Sequence, residues 1–227
     1  MRIFITLVLA LVILTVVPVV WLTLRTPTAQ ESQAISDVLA STAPADQPQQ
    51  YSHCAACHLD DGSGRPDGAI PRLAGQRRAV IENQLSRLRS GMIHLPVMQP
   101  LARTLSAAQS TVIATYLSEL AVPSPTAPIQ GHDRGKMLYA RHCASCHGVN
   151  AEGQDARKAH RLCGQHARYL NRRLDEISAH TRGASDDVMA AMIADVPAQD
   201  RRLIVDYVAN GLPCLGSGDP APGSATP

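Results

Sequence analysis

His142-Cys143-Ala144-Ser145-Cys146-His147 decides how the rest of the chain is read, because it has an echo, His53-Cys54-Ala55-Ala56-Cys57-His58, in the first half. Two cysteines three positions apart, with a histidine directly after the second, are what covalent haem attachment requires. Each thiol adds to one vinyl group, and the next residue brings an imidazole under the iron. A redox C-x-x-C, half of a zinc site or a plain disulfide would each leave the adjacent histidine unexplained in both copies. The pattern predicts two covalently attached haem c groups, one on Cys54 and Cys57 and one on Cys143 and Cys146, with His58 and His147 as the proximal iron ligands.

Working outward, the spacing of other residues repeats as well. Cys54 and Cys143, His58 and His147, Leu73 and Leu162, Gly75 and Gly164, and Gln76 and Gln165 are each 89 positions apart; Met98 and Met189, and Tyr116 and Tyr207, are each 91 apart. A fixed offset held by chemically special residues indicates duplication of one unit. Each unit is small enough to gain from a large cofactor to pack against.

No alternating strand pattern occurs, so both units are expected to be all helical, with one shared layout. A helix leads into C-x-x-C-H, then come a Gly-rich loop, a middle helix, a loop carrying methionine, and a closing helix. The middle helices are expected over Arg77 to Ser90 and His166 to Ala179, facing inward with Ile81, Leu85 and Leu88 and with Leu170, Leu174 and Ile177. The first closing helix starts at Ser106 and buries Val112, Ile113, Tyr116, Leu117 and Leu120; its counterpart starts around Pro197 and buries Leu203, Ile204, Tyr207 and Val208. The helix before the first C-x-x-C-H is expected to be short, with Asp46, Pro48 and Gln50 where the second unit has Gly135, Met137 and Tyr139.

The composition fits this picture. Aromatic residues are only 3% of the chain, so a core built around a bound macrocycle accounts for what large rings do elsewhere. A formal charge of +2, without basic runs or aromatic interleaving, points away from nucleic acid as a partner. Ile3 to Leu24 is an uncharged run of 22 residues ended by Arg25, long enough for a membrane helix, and no good cleavage site follows. A retained anchor over 1–25 is therefore favoured over a cleaved signal; the first reading places the chain at a bacterial inner membrane with its haem domains in the periplasm, the second makes it soluble there. The expected order is anchor 1–25, extended linker 26–45, haem domain 46–122, Pro-rich linker 123–130, haem domain 131–215 and a disordered tail 216–227.

Each iron needs a sixth ligand. A thioether is soft and neutral and raises the haem potential, which makes Met98 and Met189, at equivalent places, the candidates. Met92, Met137 and Met192 read as packing residues. His94 and His180 are the fallback ligands, neither having a counterpart in the other unit. A ligating histidine also needs an acceptor on its other ring nitrogen; the loops Ile70 to Gln76 and Ala159 to Gln165 stand where a backbone carbonyl can serve, from Pro71 in one unit and His160 in the other.

Two C-A-x-C-H units, the Pro71 to Gln76 loop, the segment His94-Leu95-Pro96-Val97-Met98 and the closing helix with Tyr116 together resemble the cytochrome c4 family of dihaem class I cytochromes c, over about residues 46 to 215. The resemblance implies two tandem class I cytochrome c domains facing each other, His and Met ligands on both irons, and electron transfer to a respiratory oxidase. The expected role is an electron carrier, not an enzyme, between a quinol-oxidising complex or dehydrogenase and a terminal oxidase. The alternative is the cytochrome subunit of a periplasmic dehydrogenase. Irons with both axial positions filled take no small-molecule substrate. Cys163 and Cys214 remain after the haem sites; in an oxidising compartment they read as a possible disulfide, against two separate buried thiols.

Overall fold

The computed structural model describes residues 47–122, 132–181 and 187–214. The expected anchor, both linkers and the tail lie outside these residues. Among the described residues no helix is long and apolar enough to cross a membrane. The described residues are helical, apart from loops and one isolated bridge between Gln154 and Ala159.

In the first half a 3-10 turn, Gln49–Tyr51, runs into α1, Ser52–His58, followed by α2, Arg78–Arg89, α3, Met98–Thr104, and α4, Ala107–Glu119. The second half repeats the order with α5, Asp133–His142, α6, Ala144–His147, α7, Ala167–Ser178, α8, Asp187–Ile193, and α9, Ala198–Asp206, which ends in a π-helical turn, Tyr207–Gly211. The middle and closing helices fall where the apolar spacing puts them. Ser106 caps α4 with a reciprocal box: its Oγ accepts from Gln109 N at 3.1 Å, and Gln109 Oε1 accepts from Ser106 N at 2.8 Å. In each half the middle helix packs on the methionine-bearing helix, and the closing helix on the segment before C-x-x-C-H.

Five expectations are corrected. Met92, Met137 and Met192, expected to pack, are exposed. Met98 and Met189 lie on short helices, not in loops; Pro100 falls in the first turn of α3, where a missing N–H costs nothing. Val112 is 42% exposed, and Leu203 is only half-buried while Val205 takes its place in the core. Val112 and Leu203 lie at the edge of the buried stripe rather than inside it. The place of Tyr139 is taken in the first half not by Gln50 but by Tyr51. Tyr51 Oη donates to Leu59 O at 2.9 Å as Tyr139 Oη donates to Gly148 O at 2.6 Å, and Leu59 and Gly148 are equivalent. Pro48 forces the 3-10 turn, whose tighter winding shifts the ring by one residue. Finally, His166 stands just before α7 rather than in it, and its Nε2 donates to Ser63 O of the other half at 2.8 Å.

The two halves meet through the loops that follow C-x-x-C-H. Arg72 N donates to Gln165 Oε1 at 3.0 Å and Gln165 Nε2 donates to Arg72 O at 2.9 Å. The mirror pair is present: Arg161 N donates to Gln76 Oε1 at 2.8 Å, and Gln76 Nε2 to Arg161 O at 3.1 Å. Both glutamines are 8% exposed, and a buried amide left without partners costs about 1–3 kcal/mol, so the seam has a single register. Arg72 Nε to Gly164 O and the Arg77–Asp155 ion pair extend it. The duplication in sequence has become a pseudo-two-fold contact within one chain.

Candidate functional site

His58 ends α1 and His147 ends α6, and both imidazoles are buried, at 5% and 7% exposure. His58 Nδ1 lies 3.0 Å from Pro71 O, and His147 Nδ1 lies 2.8 Å from His160 O. A carbonyl oxygen only accepts, so each Nδ1 carries the proton and each Nε2 keeps its lone pair for a metal. Burial lowers the pKa of both rings, which favours the neutral form that can ligate. Glycine shapes both loops. Gly64 at φ +67° and Gly153 at φ +76° turn the chain back, and a Cβ would lie 2.5 Å from Pro71 O in one loop and 2.6 Å from Arg161 N in the other. Any side chain there would push away the peptide that receives the imidazole proton.

A reactive C-x-x-C lowers a thiol pKa, whereas burial pushes Cys54 up and Cys143 up to about 11. Among the described residues no group of three or more His, Cys, Asp and Glu could hold a metal ion on its own, as a zinc site would need.

Each half has its apolar core in two pieces. In the first half Cys54 packs against Tyr51, Ile81, Ile113 and Leu117, while Met98 packs in a separate cluster with Leu88, Ile93 and Ala102. In the second, Cys143 belongs with Tyr139, Ile204 and Val208, and Met189 with Ile177, Ala190 and Ile193. In both halves the attachment cysteine and the methionine thus belong to separate apolar clusters, and thiols, imidazole and thioether together are the donor set that a covalently held haem uses. The fallback ligands are placed otherwise: His94 is exposed, and His180 Nδ1 lies 3.5 Å from Asp187 Oδ1 at the surface.

Cys163 and Cys214 are both buried in the main cluster of the second half. They are hydrogen-bonded to each other, which together with Arg161 lowers the pKa of Cys163. Two features escaped sequence reasoning. The tilted ring pairs Tyr51–Tyr116, with centroids 5.3 Å apart, and Tyr139–Tyr207, at 5.9 Å, brace each C-x-x-C-H helix against its closing helix. Gln76 and Gln165 were visible only as markers of the repeat; their signal was polar identity at a fixed offset inside a loop otherwise made of Pro, Leu, Ala and Gly.

An all-helical unit, presenting C-x-x-C-H with a buried, Nδ1-anchored imidazole, defines the class of c-type cytochromes, and this chain contains it twice. The family model described as Cytochrome c matches residues 132–211. The chain is 31% identical over 171 residues to the thiosulfate dehydrogenase electron acceptor of Stutzerimonas stutzeri strain A1501, covering 69% of this chain and 78% of that protein. It is 25% identical over 174 residues to cytochrome c4 of Azotobacter vinelandii, covering 68% and 82%. The crystal structure of reduced recombinant cytochrome c4 from Pseudomonas stutzeri superposes with a TM-score of 0.63 at 26% identity, covering 72% of this chain and 95% of that one. The chain belongs to the cytochrome c4 family, dihaem class I cytochromes c, and is an electron-transfer protein whose family cofactor is covalently bound haem c.

Proposed function

We propose that the chain binds two haem c groups and carries electrons, one at a time, from an exported dehydrogenase or quinol-oxidising complex towards a terminal oxidase. The observation that supports this most is the pair of buried imidazoles directly after C-x-x-C, each anchored at Nδ1 on a backbone carbonyl so that Nε2 is left for a metal. Cys54 and Cys57 hold the first macrocycle, with His58 and Met98 on its iron; Cys143, Cys146, His147 and Met189 do the same for the second. Each haem supplies a one-electron couple whose potential the axial ligands and their hydrogen bonds set. Pro71 O and His160 O fix the two imidazoles. With both axial positions filled by side chains, no site remains for substrate, and the chain acts as a carrier rather than an enzyme.

Similarity to a protein named as a dehydrogenase electron acceptor favours an exported dehydrogenase as donor. Residues 1–25 hold the haem domains at the periplasmic face of the inner membrane, or are removed to leave them soluble there; residues 46–122 and 131–215 are the two haem domains. Cys163 and Cys214 close a disulfide in that oxidising compartment. If the chain were a tight subunit of the dehydrogenase instead of a diffusing carrier, it would co-elute with that enzyme during purification at native stoichiometry.

The test is the visible spectrum of the purified protein, oxidised and reduced, with haem counted per chain and carbon monoxide added to the reduced form. Two low-spin haems that ignore carbon monoxide are expected. Met98→Ala should open the first iron to carbon monoxide and lower its potential while the second haem keeps its own; a variant retaining both native potentials would remove Met98 from the ligand set.

A further inference from the structure

We infer that Gln165 and Gln76 are positioning residues acting across the domain seam, each tuning the iron ligand of the opposite half. This rests on the reading of His58 and His147 as iron ligands. The Pro71 carbonyl that accepts from His58 Nδ1 at 3.0 Å and the Arg72 N–H that donates to Gln165 Oε1 at 3.0 Å are two ends of one peptide group. The other half has the same construction. His147 Nδ1 donates to His160 O at 2.8 Å, and the N–H of that peptide, on Arg161, donates to Gln76 Oε1 at 2.8 Å. Each proximal imidazole is thus joined, through a single peptide plane, to a glutamine of the other domain.

The orientation of both amides is unambiguous. Oε1 faces a backbone N–H, and Nε2 faces a backbone carbonyl: Arg72 O at 2.9 Å for Gln165, and Arg161 O at 3.1 Å for Gln76. Each Oε1 also accepts from the next residue's amide, Arg77 N and His166 N, both at 3.0 Å, which holds the side chain still. The seam glutamines are buried, so water does not stand in readily for the amide.

Hydrogen bonds in series polarise one another. When Gln165 accepts from Arg72 N–H, electron density shifts to the Pro71 oxygen, which pulls harder on the Nδ1 proton of His58. The imidazole becomes a more basic ligand, and a more basic ligand favours the oxidised iron. Removing the glutamine reverses this and raises the potential of the haem in the other half. The two domains are coupled electronically through their packing contact, each glutamine acting on the haem of the opposite half.

The experiment uses the intact two-haem protein carrying Gln165→Leu or Gln76→Leu, with the potential of each haem measured separately and the Nδ1 proton of each proximal histidine followed by NMR in the reduced state. Gln165→Leu should shift the reduction equilibrium of the His58 haem about threefold in favour of reduction, roughly 28 mV at 59 mV per tenfold for one electron. Its Nδ1 proton resonance should move too, while the His147 haem shifts less than half as far. Gln76→Leu should give the mirror pattern. Gln165→Glu, which keeps the acceptor oxygen, should leave the His58 haem at or below its native potential. Equal shifts of both haems, or a larger shift in the half that carries the substitution, would overturn the inference, since general loosening of the interface or local disturbance would produce those. Loss of low-spin His ligation in the unsubstituted protein would instead strike at the haem assignment itself.

Discussion

The two halves reach the same iron-ligand geometry from different local sequences, and the differences separate what the site needs from what it tolerates. The first half receives its imidazole proton on a proline carbonyl and the second on a histidine carbonyl, at 3.0 and 2.8 Å. The backbone group is what matters; the side chain of that residue is free to do something else, and His160 uses its Nε2 to meet Gln84 across the seam at 3.0 Å. The first half starts its C-x-x-C-H helix with a 3-10 turn after Pro48, the second with a full helical approach from Asp133. Only the second half has an extra pair of buried cysteines.

The largest effect would come from removing one attachment site. Cys54→Ala with Cys57→Ala should halve the haem content per chain and unfold or loosen the first half, a unit too small to do without its cofactor. The second half, with its own cluster around Tyr139 and Val208, should keep its haem and spectrum. Haem quantitation and the reduced spectrum check this. Loss of both haems would show that neither half folds without the other, and the comparison of halves as independent units would fail.

Next in size is the bridge proposed between Cys163 and Cys214. Closing the roughly fifty-residue loop between them should stabilise the second half by about 2–4 kcal/mol. A thiol reductant should therefore lower the denaturation midpoint of the second half and leave the first unchanged, and Cys163→Ala should abolish that response. With both irons held ferrous by ascorbate in either arm, which leaves disulfides intact, the thiol reads the bridge alone, since the thioether links to haem do not respond to it. A wild-type protein indifferent to reductant would leave the pair as hydrogen-bonded thiols.

How much of this was legible in the sequence depends on how local each signal is. C-x-x-C-H is five consecutive residues and the 89-residue offset is a direct repeat, so both are readable at once. Middle and closing helices followed from apolar spacing, because each buries one stripe. The methionine helices read as loops in the sequence because each is only seven residues long, too short for apolar spacing to declare it. Tyr51 was missed because counting at a constant offset assumes constant winding, and a 3-10 turn changes it. The seam could not be read at all. Gln165 and Arg72 are brought together by how two domains dock, and no periodicity along one chain encodes a contact between loops 93 positions apart.

The smallest effect compares the two tyrosines. Each hydroxyl donates to a carbonyl just after its C-x-x-C-H, and each ring leans on a second tyrosine at nearly the same tilt, 52° and 53°. Burial raises both phenol pKa values far above the ordinary range, so both stay neutral donors throughout the accessible pH range. The bonds differ: Tyr139 to Gly148 O is 2.6 Å and buried, whereas Tyr51 to Leu59 O is 2.9 Å and partly buried. Removing a hydroxyl leaves the carbonyl unpartnered, and the cost rises with how fully water is excluded from it, within about 1–3 kcal/mol. Tyr139→Phe should therefore destabilise the second half by more than Tyr51→Phe destabilises the first, as read from denaturant midpoints followed at each haem. Leu59 reinforces the expectation, since it adopts φ +66° without being glycine while Gly148 takes φ +85° at no steric cost. The first half thus holds its carbonyl with a strained residue and a weaker bond, and the second with a relaxed residue and a stronger one. Leu59→Gly should recover part of the difference, and equal losses from the two tyrosine variants would mean that the one-residue shift in register leaves the bracing of the haem helix unchanged.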